Sequence, residues 1–297
     1  MSVGKRTKKD TFFDTLIGIF MVLFVIVTLY PILNTLAVSF NDGIDTVRGG
    51  IYILPRIFTL QNYQTVLSDP TLTQAAIVSV ARTVIGTAVT VFCSSLLAFI
   101  LSRKKFVFKR QITFIYIITM YVAGGMIPSY LLMKYLHLFN NFLVYIIPTA
   151  VSTFDMIIVR TFINGLPDSL AESAKIDGAG EFRIFFQIIL PLCTPALATI
   201  GLFEAVNQWN AWFDAMLYNQ GAPNLTTLQY QLMKILSSTT TMSSSTSQET
   251  MKNQAGMVTP MSIQAATTII TMLPIVCVYP FLQRYFITGL TIGGVKE

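Results

Sequence analysis

Long apolar segments, separated by short polar stretches, constrain this chain more than any other feature of its sequence. An α-helix rises about 1.5 Å per residue, so about 20 apolar residues are needed to cross a hydrocarbon core about 30 Å thick. We therefore predict an all-α membrane protein with six transmembrane helices. The predicted spans are Leu16 to Phe40, Gln74 to Ser102, Gln111 to Met133, Asn141 to Phe162, Pro191 to Met216 and Ser262 to Gln283.

The charges of the chain favour a lipid membrane over nucleic acid as its surroundings. Charged residues make up only 11% of the sequence, against about a quarter in soluble domains. The net charge is +6, but the basic residues lie beside the apolar runs and form no stripe interleaved with aromatic residues. Cys93, Cys193 and Cys277 lie singly within apolar runs, which predicts packing residues and neither a disulfide framework nor a metal site.

The distribution of Lys and Arg predicts the orientation, because basic loops are retained on the cytoplasmic side. Six spans place both termini on one side, and a cytoplasmic assignment of that side collects most of the basic residues. These are Lys5, Arg6, Lys8, Lys9, Arg103, Lys104, Lys105, Lys109, Arg110, Arg160, Lys175, Arg183, Arg284 and Lys296. Arg48, Arg56, Lys134, Lys234 and Lys252 remain on the outer side. Cytoplasmic tails, residues 1–15 and 289–297, then flank a transmembrane domain of residues 16–288.

Two outer segments are longer than simple turns. The segment Asn41 to Thr73 ends in a stretch, Leu60 to Leu67, that is predicted to form a short surface helix. In the outer loop 217–261, leucines recur at helical spacing from Leu225 and precede a Ser/Thr-rich tract. We predict a short helix on the outer face, followed by a mobile loop.

The cytoplasmic loop 164–190 carries helix signals. Gly165 and Pro167 interrupt the preceding helix, and Ser169 with Glu172 has the spacing of a capping box. Gly178 supplies a permissive residue after the helix end. The pattern predicts a helix of about two turns.

This short helix is small and polar, whereas the residues after it are apolar. Small residues at Ala171, Ser173 and Ala174 permit close approach, and charges at Glu172, Lys175 and Asp177 suit a groove in a soluble partner. A second short helix is predicted from the spacing of Phe182, Phe185, Phe186 and Ile189, whose shared face can rest on the membrane core.

The loop resembles the cytoplasmic motif of binding-protein-dependent ABC importer permeases. That motif reads E-A-A, three residues, G, nine residues, I, one residue, L-P, and this chain has Glu172-Ser173-Ala174, Gly178, Ile188 and Leu190-Pro191. The one departure is Ser173 in place of Ala. The Trp209-Asn210 pair and the closing run from Gly289 to Lys296 look like the carbohydrate branch that imports complex oligosaccharides.

The resemblance implies a type I ABC importer permease architecture with a cytoplasmic coupling helix, in a bacterial cell membrane. It implies that the helix docks into an ABC ATPase dimer that binds ATP and Mg, and that a second homologous permease and an external solute-binding lipoprotein complete the importer. The implied ATPase-coupling residues are Ser169, Ala171, Glu172, Ser173, Ala174, Asp177 and Gly178. This chain has no G-x-x-x-x-G-K-[ST] phosphate loop, so we expect a non-catalytic subunit without a cofactor. The alternative to a coupling role is that the loop helix is a capped surface helix that only joins two spans.

Ionisable residues inside spans need partners or water, because hydrocarbon penalises their charge. We predict that Arg82 extends to the membrane interface and that Asp214 is solvated there. Asp155 and Glu204 lie deeper. They are either buried and protonated or paired with a neighbouring subunit, or they line a solute cavity.

Polar and aromatic residues gather in the outer half of the fifth predicted span. Helical spacing predicts one face for Glu204, Asn207, Gln208 and Trp212, and amides with flat aromatic rings suit sugars. Helix packing between subunits is the alternative explanation. The predicted substrate-pathway residues are Glu204, Asn207, Trp209, Asn210, Trp212 and Asp214.

Two other functional classes fit less well. A stand-alone secondary transporter or channel would be expected to show an internal repeat or a relay of buried ionisable residues, and neither is evident. A membrane enzyme is disfavoured because the single histidine, His137, lies in an outer loop and no H-E-x-x-H or G-x-S-x-G pattern occurs.

Overall fold

The computed structural model of the chain describes residues 8–244 and 258–294, and these are mostly helical. In chain order the helices are α1 (Lys8–Ser39), α2 (Gly43–Val47), α3 (Gln61–Ser68), α4 (Pro70–Ser102), α5 (Lys109–Tyr121), α6 (Met126–Tyr135), α7 (Thr153–Asn164), α8 (Asp168–Ile176), α9 (Glu181–Ile184), α10 (Leu190–Leu192), α11 (Thr194–Asn210), α12 (Phe213–Tyr218), α13 (Leu228–Ser244) and α14 (Pro260–Gly294). Short 3-10 turns cover Phe142–Tyr145 and Pro223–Leu225, and a π-helical segment covers Phe185–Ile189.

The helices agree with the predicted spans in position, but only some of them are continuous. Over Thr11–Ser39, Pro70–Ser102 and Pro260–Pro280, the helices α1, α4 and α14 are long and apolar enough to cross a membrane alone. Two further pairs meet the same test only when joined. These are α5 with α6, bent by 118°, and the run Glu181–Leu192 with α11, bent by 80°.

The fourth predicted span, Asn141 to Phe162, is not one helix. Pro148 lies in its middle, where proline removes a backbone donor and obstructs the preceding turn. Helix α7 therefore begins only at Thr153. The non-helical backbone finds partners on α4: Thr90 donates to the Thr149 carbonyl at 2.8 Å, and the Ser152 amide donates to Ser94 at 3.0 Å. The count of six spans thus stays a prediction.

Within the described residues, the chain divides into two compact units. One comprises the chain up to Asp69 together with Lys234–Met272, and it contains a small core of Ala37, Val38, Ile51 and Ala265. The other comprises Pro70–Met233 and the chain from Leu273 onward. Its main core is formed by α4, α7 and the segment from α8 to α11, with buried residues that include Phe99, Met156, Val159, Ile184, Phe185 and Ile200.

The smaller predicted elements have mixed outcomes. The short helix predicted at Leu60 to Leu67 is confirmed as α3, and the leucine-rich helix of the outer loop is confirmed as α13. Parts of the predicted tails 1–15 and 289–297, and the Ser/Thr-rich tract after Ser244, lie outside the described residues. The three cysteines are unpaired, with Cys193 buried in the main core.

Candidate functional site

Helix α8 follows α7 after a short connection that ends one helix and begins the next. Gly165 is the C-cap of α7, and Pro167 is the N-cap of α8 with a ψ of 129°. The predicted capping box is wrong, because Ser169 lies inside the helix and no side chain caps its first turn. Asp168 occupies the first position instead, where a carboxylate complements the helix dipole.

The C-terminal end of α8 is fixed by a complete Schellman motif. Gly178 has a φ of +78°, and its amide donates to the Lys175 carbonyl at 3.0 Å. The Ala179 amide donates to the Ala174 carbonyl at 2.9 Å. These two bonds satisfy carbonyls that the helix end would leave unpaired. The prediction that Gly178 follows the helix end is confirmed.

The two faces of α8 differ in burial. Ala174 is buried in the main core, and Ala171 packs against that core. The residues Ser169, Glu172, Ser173 and Asp177 are exposed. Ile176 is 87% exposed. The helix is thus attached through small residues on one side and presents a polar surface with one apolar residue on the other.

The segment after α8 departs from the predicted second helix. From Glu181 the chain runs without a break through α9, the π-helical segment and α10. Phe185 and Ile189 are buried, but Phe182 is 73% and Phe186 is 48% exposed, so the four predicted residues do not share one environment. The regular helical spacing that the prediction assumed is interrupted by the π-helical segment, which begins at Phe185.

Charged side chains connect α8 to the neighbouring chain. Lys104 donates to Asp168 at 2.5 Å, and Lys175 pairs with Glu181 at 2.5 Å. The hydrogen bond from Lys104 lowers the pKa of Asp168, and the bond to Asp168 raises the pKa of Lys104. Arg103 lies over the Phe99 ring at 4.1 Å, and its burial lowers its pKa. The exposed pairs orient the loop but contribute little stability.

The fifth predicted span is interrupted near its outer end. Helix α11 ends at Asn210, Ala211 is extended with a ψ of 122°, and α12 begins at Phe213. The prediction that Trp212 continues the face of Glu204 and Gln208 is therefore wrong. The break also leaves the Ala211 carbonyl without a partner within the helix.

Arg82 of α4 fills this break. Its side chain is only 1% exposed and forms an ion pair with Asp214 through both terminal nitrogens of the guanidinium. It also donates to the Ala211 carbonyl at 3.1 Å and to Gln208 at 2.9 Å, and it lies 4.5 Å from the centre of the Tyr145 ring. The prediction that Arg82 extends to the membrane interface is wrong, because the interrupted helix supplies acceptors that hold its side chain inside the protein. Asp214 is 23% exposed and is bound by Arg82, so it is solvated only in part.

Gln208 extends this cluster toward the broken fourth span. Its amide nitrogen donates to Thr149 at 2.9 Å, while its oxygen accepts from Arg82. Gly86 makes room for it, since a Cβ at that position would lie 2.8 Å from the Gln208 side chain. Tyr145 and Thr149 were not predicted from the sequence as members of this cluster. The available signal was Pro148, because a proline inside a span leaves backbone groups that need partners.

The predicted substrate-pathway residues do not form one surface. Asn207 and Asn210 are exposed, whereas Glu204 and Trp209 are buried. Trp212 lies edge-on to Phe213, with ring centres 5.8 Å apart, and Asp214 is bound by Arg82. The asparagines thus remain the members most available to a solute.

Asp155 and Glu204 form a buried acidic pair on α7 and α11. Both residues are less than a tenth exposed. Among the described residues, neither carboxyl oxygen of Asp155 has a partner at hydrogen-bond distance. This burial agrees better with groups enclosed within the protein than with the lining of a solute cavity.

These features define a helical membrane protein whose interrupted spans are held together by polar side chains and whose polar loop helix is anchored in its own core. The sequence model of the binding-protein-dependent transport system inner membrane component matches residues 91–292. The chain belongs to that family, whose members are transport components of ABC importers.

Curated relatives and a solved structure agree with this assignment. The chain is 37% identical to the polygalacturonan/rhamnogalacturonan transport system permease protein YtcP of Bacillus subtilis, covering 97% of this chain and 99% of the relative. It is 27% identical to the arabinooligosaccharides transport system permease protein AraQ of Halalkalibacterium halodurans, covering 98% and 99%. A crystal structure of a bacterial ABC transporter involved in import of the acidic polysaccharide alginate matches with a TM-score of 0.86 and 27% identity, covering 96% of this chain and all of that chain.

Proposed function

We propose that this chain is one permease subunit of an ATP-driven importer that moves an oligosaccharide across a bacterial cell membrane. An external binding protein delivers the solute, and a separate ABC ATPase dimer binds ATP and Mg²⁺ and supplies the energy. A second homologous permease completes the transmembrane part. The family's dependence on a binding protein and the carbohydrate cargoes named for the relatives support this proposal.

The observation that carries the coupling role is the two-faced packing of α8. Ala171 and Ala174 attach the helix to the permease core, and the Schellman motif at Gly178 fixes its end. Glu172, Ser173 and Ile176 stay exposed for a partner.

The coupling role is tested by Glu172→Lys, which reverses a charge on the exposed face without touching the core. We expect the ATPase to copurify less well and solute-stimulated ATP hydrolysis to fall. Lys134→Glu is the matched control, because it reverses an exposed charge on the predicted outer side. Full ATPase association and normal hydrolysis in Glu172→Lys would refute the role of α8.

The cargo class rests on the relatives and on the amides near the break. Asn207 and Asn210 offer hydrogen-bonding groups for hydroxyls, while the charge of Arg82 is neutralised by Asp214. A uronate-containing cargo would therefore take its cations from the second permease.

The cargo class is tested by solute-stimulated ATP hydrolysis of the reconstituted importer across sugar, amino-acid and phosphate panels. Stimulation only by amino acids or phosphate would refute the cargo class, and unchanged kinetics in Asn210→Ala and Trp209→Ala would place the solute on the second permease.

The proposed orientation places both termini in the cytoplasm. Single cysteines in a cysteine-free background, at Ser173 and Ser243, should differ in labelling by an impermeant thiol reagent in intact cells. Only Ser243→Cys should react before the cells are permeabilised. Equal reaction of both would contradict the orientation.

The alternative of a stand-alone secondary transporter draws on the buried pair of Asp155 and Glu204. In vesicles that contain this chain alone, such a transporter would take up solute when an ion flows down its gradient across the membrane. The importer should instead require ATP and its other subunits. Gradient-driven uptake by the chain alone would therefore replace the present proposal.

A further inference from the structure

The loop after α1 turns back along that helix. Gly49 and Gly50 have φ angles of +73° and +74°, a conformation that allows the chain to reverse there. The Asn34 side-chain amide then donates to the carbonyls of Ile51 and Tyr52, at 2.8 and 2.9 Å. Asn34 lies five residues before the end of α1 at Ser39. At 1.5 Å per residue, the loop therefore descends about 7 Å below the helix end.

The chain then returns to the level of the last residues of α1. The Asp42 amide donates to the Ile57 carbonyl at 2.9 Å, and the Thr59 amide donates to the Phe40 carbonyl at 2.8 Å. The segment between these anchors is thus held beside the last turns of a helix that is apolar enough to cross a membrane. Its depth is set by hydrogen bonds at both ends.

The outward side chains of this segment are apolar. We use the name loop wedge for Tyr52, Ile53, Leu54, Ile57 and Phe58, each of which is more than half exposed. Leu54 is 77% exposed. A contiguous group of large apolar side chains is unfavourable in water and marks a contact with lipid or protein.

The charge within this segment is paired with a buried acid, although the Arg56 side chain itself is 45% exposed. Arg56 is the single charged residue between Gly49 and Leu60. Its guanidinium donates to the Asp45 carboxylate at 2.9 Å and to the Asp45 and Gly49 carbonyls at 3.1 and 2.6 Å. The hydrogen bond from Asn41, and then the one from Arg56, lower the pKa of Asp45, which keeps that carboxylate ionised and the pair neutral. The loop wedge therefore carries no free charge.

We propose that the loop wedge inserts into the lipid leaflet at the Ser39 end of α1, where acyl chains cover its side chains. α1 has 32 residues, more than the about 20 needed to cross the hydrocarbon core, so a segment about 7 Å below its end lies near the boundary between headgroups and acyl chains. The pairing of Arg56 with Asp45 reduces the charge that would oppose insertion there. The tyrosine suits the headgroup level, where amphipathic aromatic rings accumulate. This inference rests on α1 crossing the membrane, and it depends neither on the cargo nor on which side faces the cytoplasm.

Thiol reactivity in cells tests the insertion. Leu54→Cys and Arg48→Cys are made separately in the full chain after its native cysteines have been replaced. Each variant is expressed together with the other subunits of the importer. Both positions are exposed, and Arg48 is the matched control beside the loop wedge. With a water-soluble maleimide, we expect Leu54→Cys to react several-fold more slowly than Arg48→Cys. Equal rates would place the loop wedge in water and overturn the proposal.

A photo-crosslinker distinguishes lipid from a covering protein. With p-benzoylphenylalanine in place of Leu54, we expect adducts to lipid and none to protein. A protein adduct would show that a subunit covers the loop wedge, which overturns the proposal. If neither cysteine reacts until the cells are permeabilised, the proposed orientation fails, and the ratio of rates after permeabilisation still decides the insertion.

Discussion

Replacing Asp214 with asparagine removes the anion that neutralises a buried guanidinium. Arg82 is 1% exposed, so water cannot take the place of the lost carboxylate around most of the side chain. Gln208, the Ala211 carbonyl and the Tyr145 ring would remain as partners. None of them carries a negative charge.

The expected loss of stability follows from these contacts. Removing one member of a buried ion pair costs about 3–5 kcal/mol. The Asp214 side chain is 23% exposed, which admits some water and places the expected cost of Asp214→Asn near the lower end, about 3 kcal/mol. Arg82→Met removes the other member of the same pair and leaves the Asp214 carboxylate unpaired together with the acceptors of Gln208 and Ala211, so a loss of about 3 kcal/mol is expected for it as well. The double variant should be less destabilised than the sum of both, by about 2 kcal/mol.

The assay is equilibrium unfolding in mixed micelles, followed by the fluorescence of Trp209 and Trp212 beside the break. Asn210→Ala is the control, since it changes an exposed residue at the same break and should shift the free energy of unfolding by less than about 0.5 kcal/mol. Additive effects of Asp214→Asn and Arg82→Met, within about 0.5 kcal/mol, would refute the assignment of a stabilising pair.

Three further predictions concern individual positions. Gly86→Ala should destabilise the chain by about 1–3 kcal/mol in the same unfolding assay, because the new Cβ displaces Gln208 from its hydrogen bonds; no change would mean that Gln208 relaxes freely. Gly178→Ala should reduce stability by about 1–2 kcal/mol, since a side chain at φ +78° is strained, whereas unchanged unfolding would show that the α8 end adapts. The contribution of the Lys104–Asp168 pair to the free energy of unfolding should be present at neutral pH. It should be lost below about pH 4, as pH falls through the lowered pKa of Asp168, because the carboxylate then takes up a proton and the ion pair is broken. Comparing Asp168→Asn with the parent chain across pH and salt measures that contribution, and a difference that persists below that pH would contradict it.

Hydrophobic length located the spans, but it did not reveal where their helices break. Segments around α1, α4 and α14 are apolar and continuous, so the 20-residue rule placed them directly. Pro148 and Gly125 interrupt two other predicted spans. Whether a helix survives there depends on partners elsewhere in the chain, such as Thr90 and Ser94, and hydropathy contains no information about them.

The loop helix was predictable because its signals are local, whereas the Arg82 cluster was not. Gly165, Pro167 and Gly178 act on the backbone beside them, and the structure places the helix boundaries within a few residues of the prediction. Arg82 meets Asp214 across 132 positions of sequence. Their pairing requires the break at Ala211, and a regular helical face, as the sequence suggested, would have pointed Asp214 elsewhere.

The attachment of α8 through alanines has a mechanical consequence. Long side chains can absorb a displacement by changing rotamer, but the methyl groups of Ala171 and Ala174 have no rotamers to change. Packed interiors are also nearly incompressible. A displacement applied to the exposed face of α8 should therefore move α7 and the segment after Gly180 with it as a rigid unit, because the alanine contacts absorb little of the displacement.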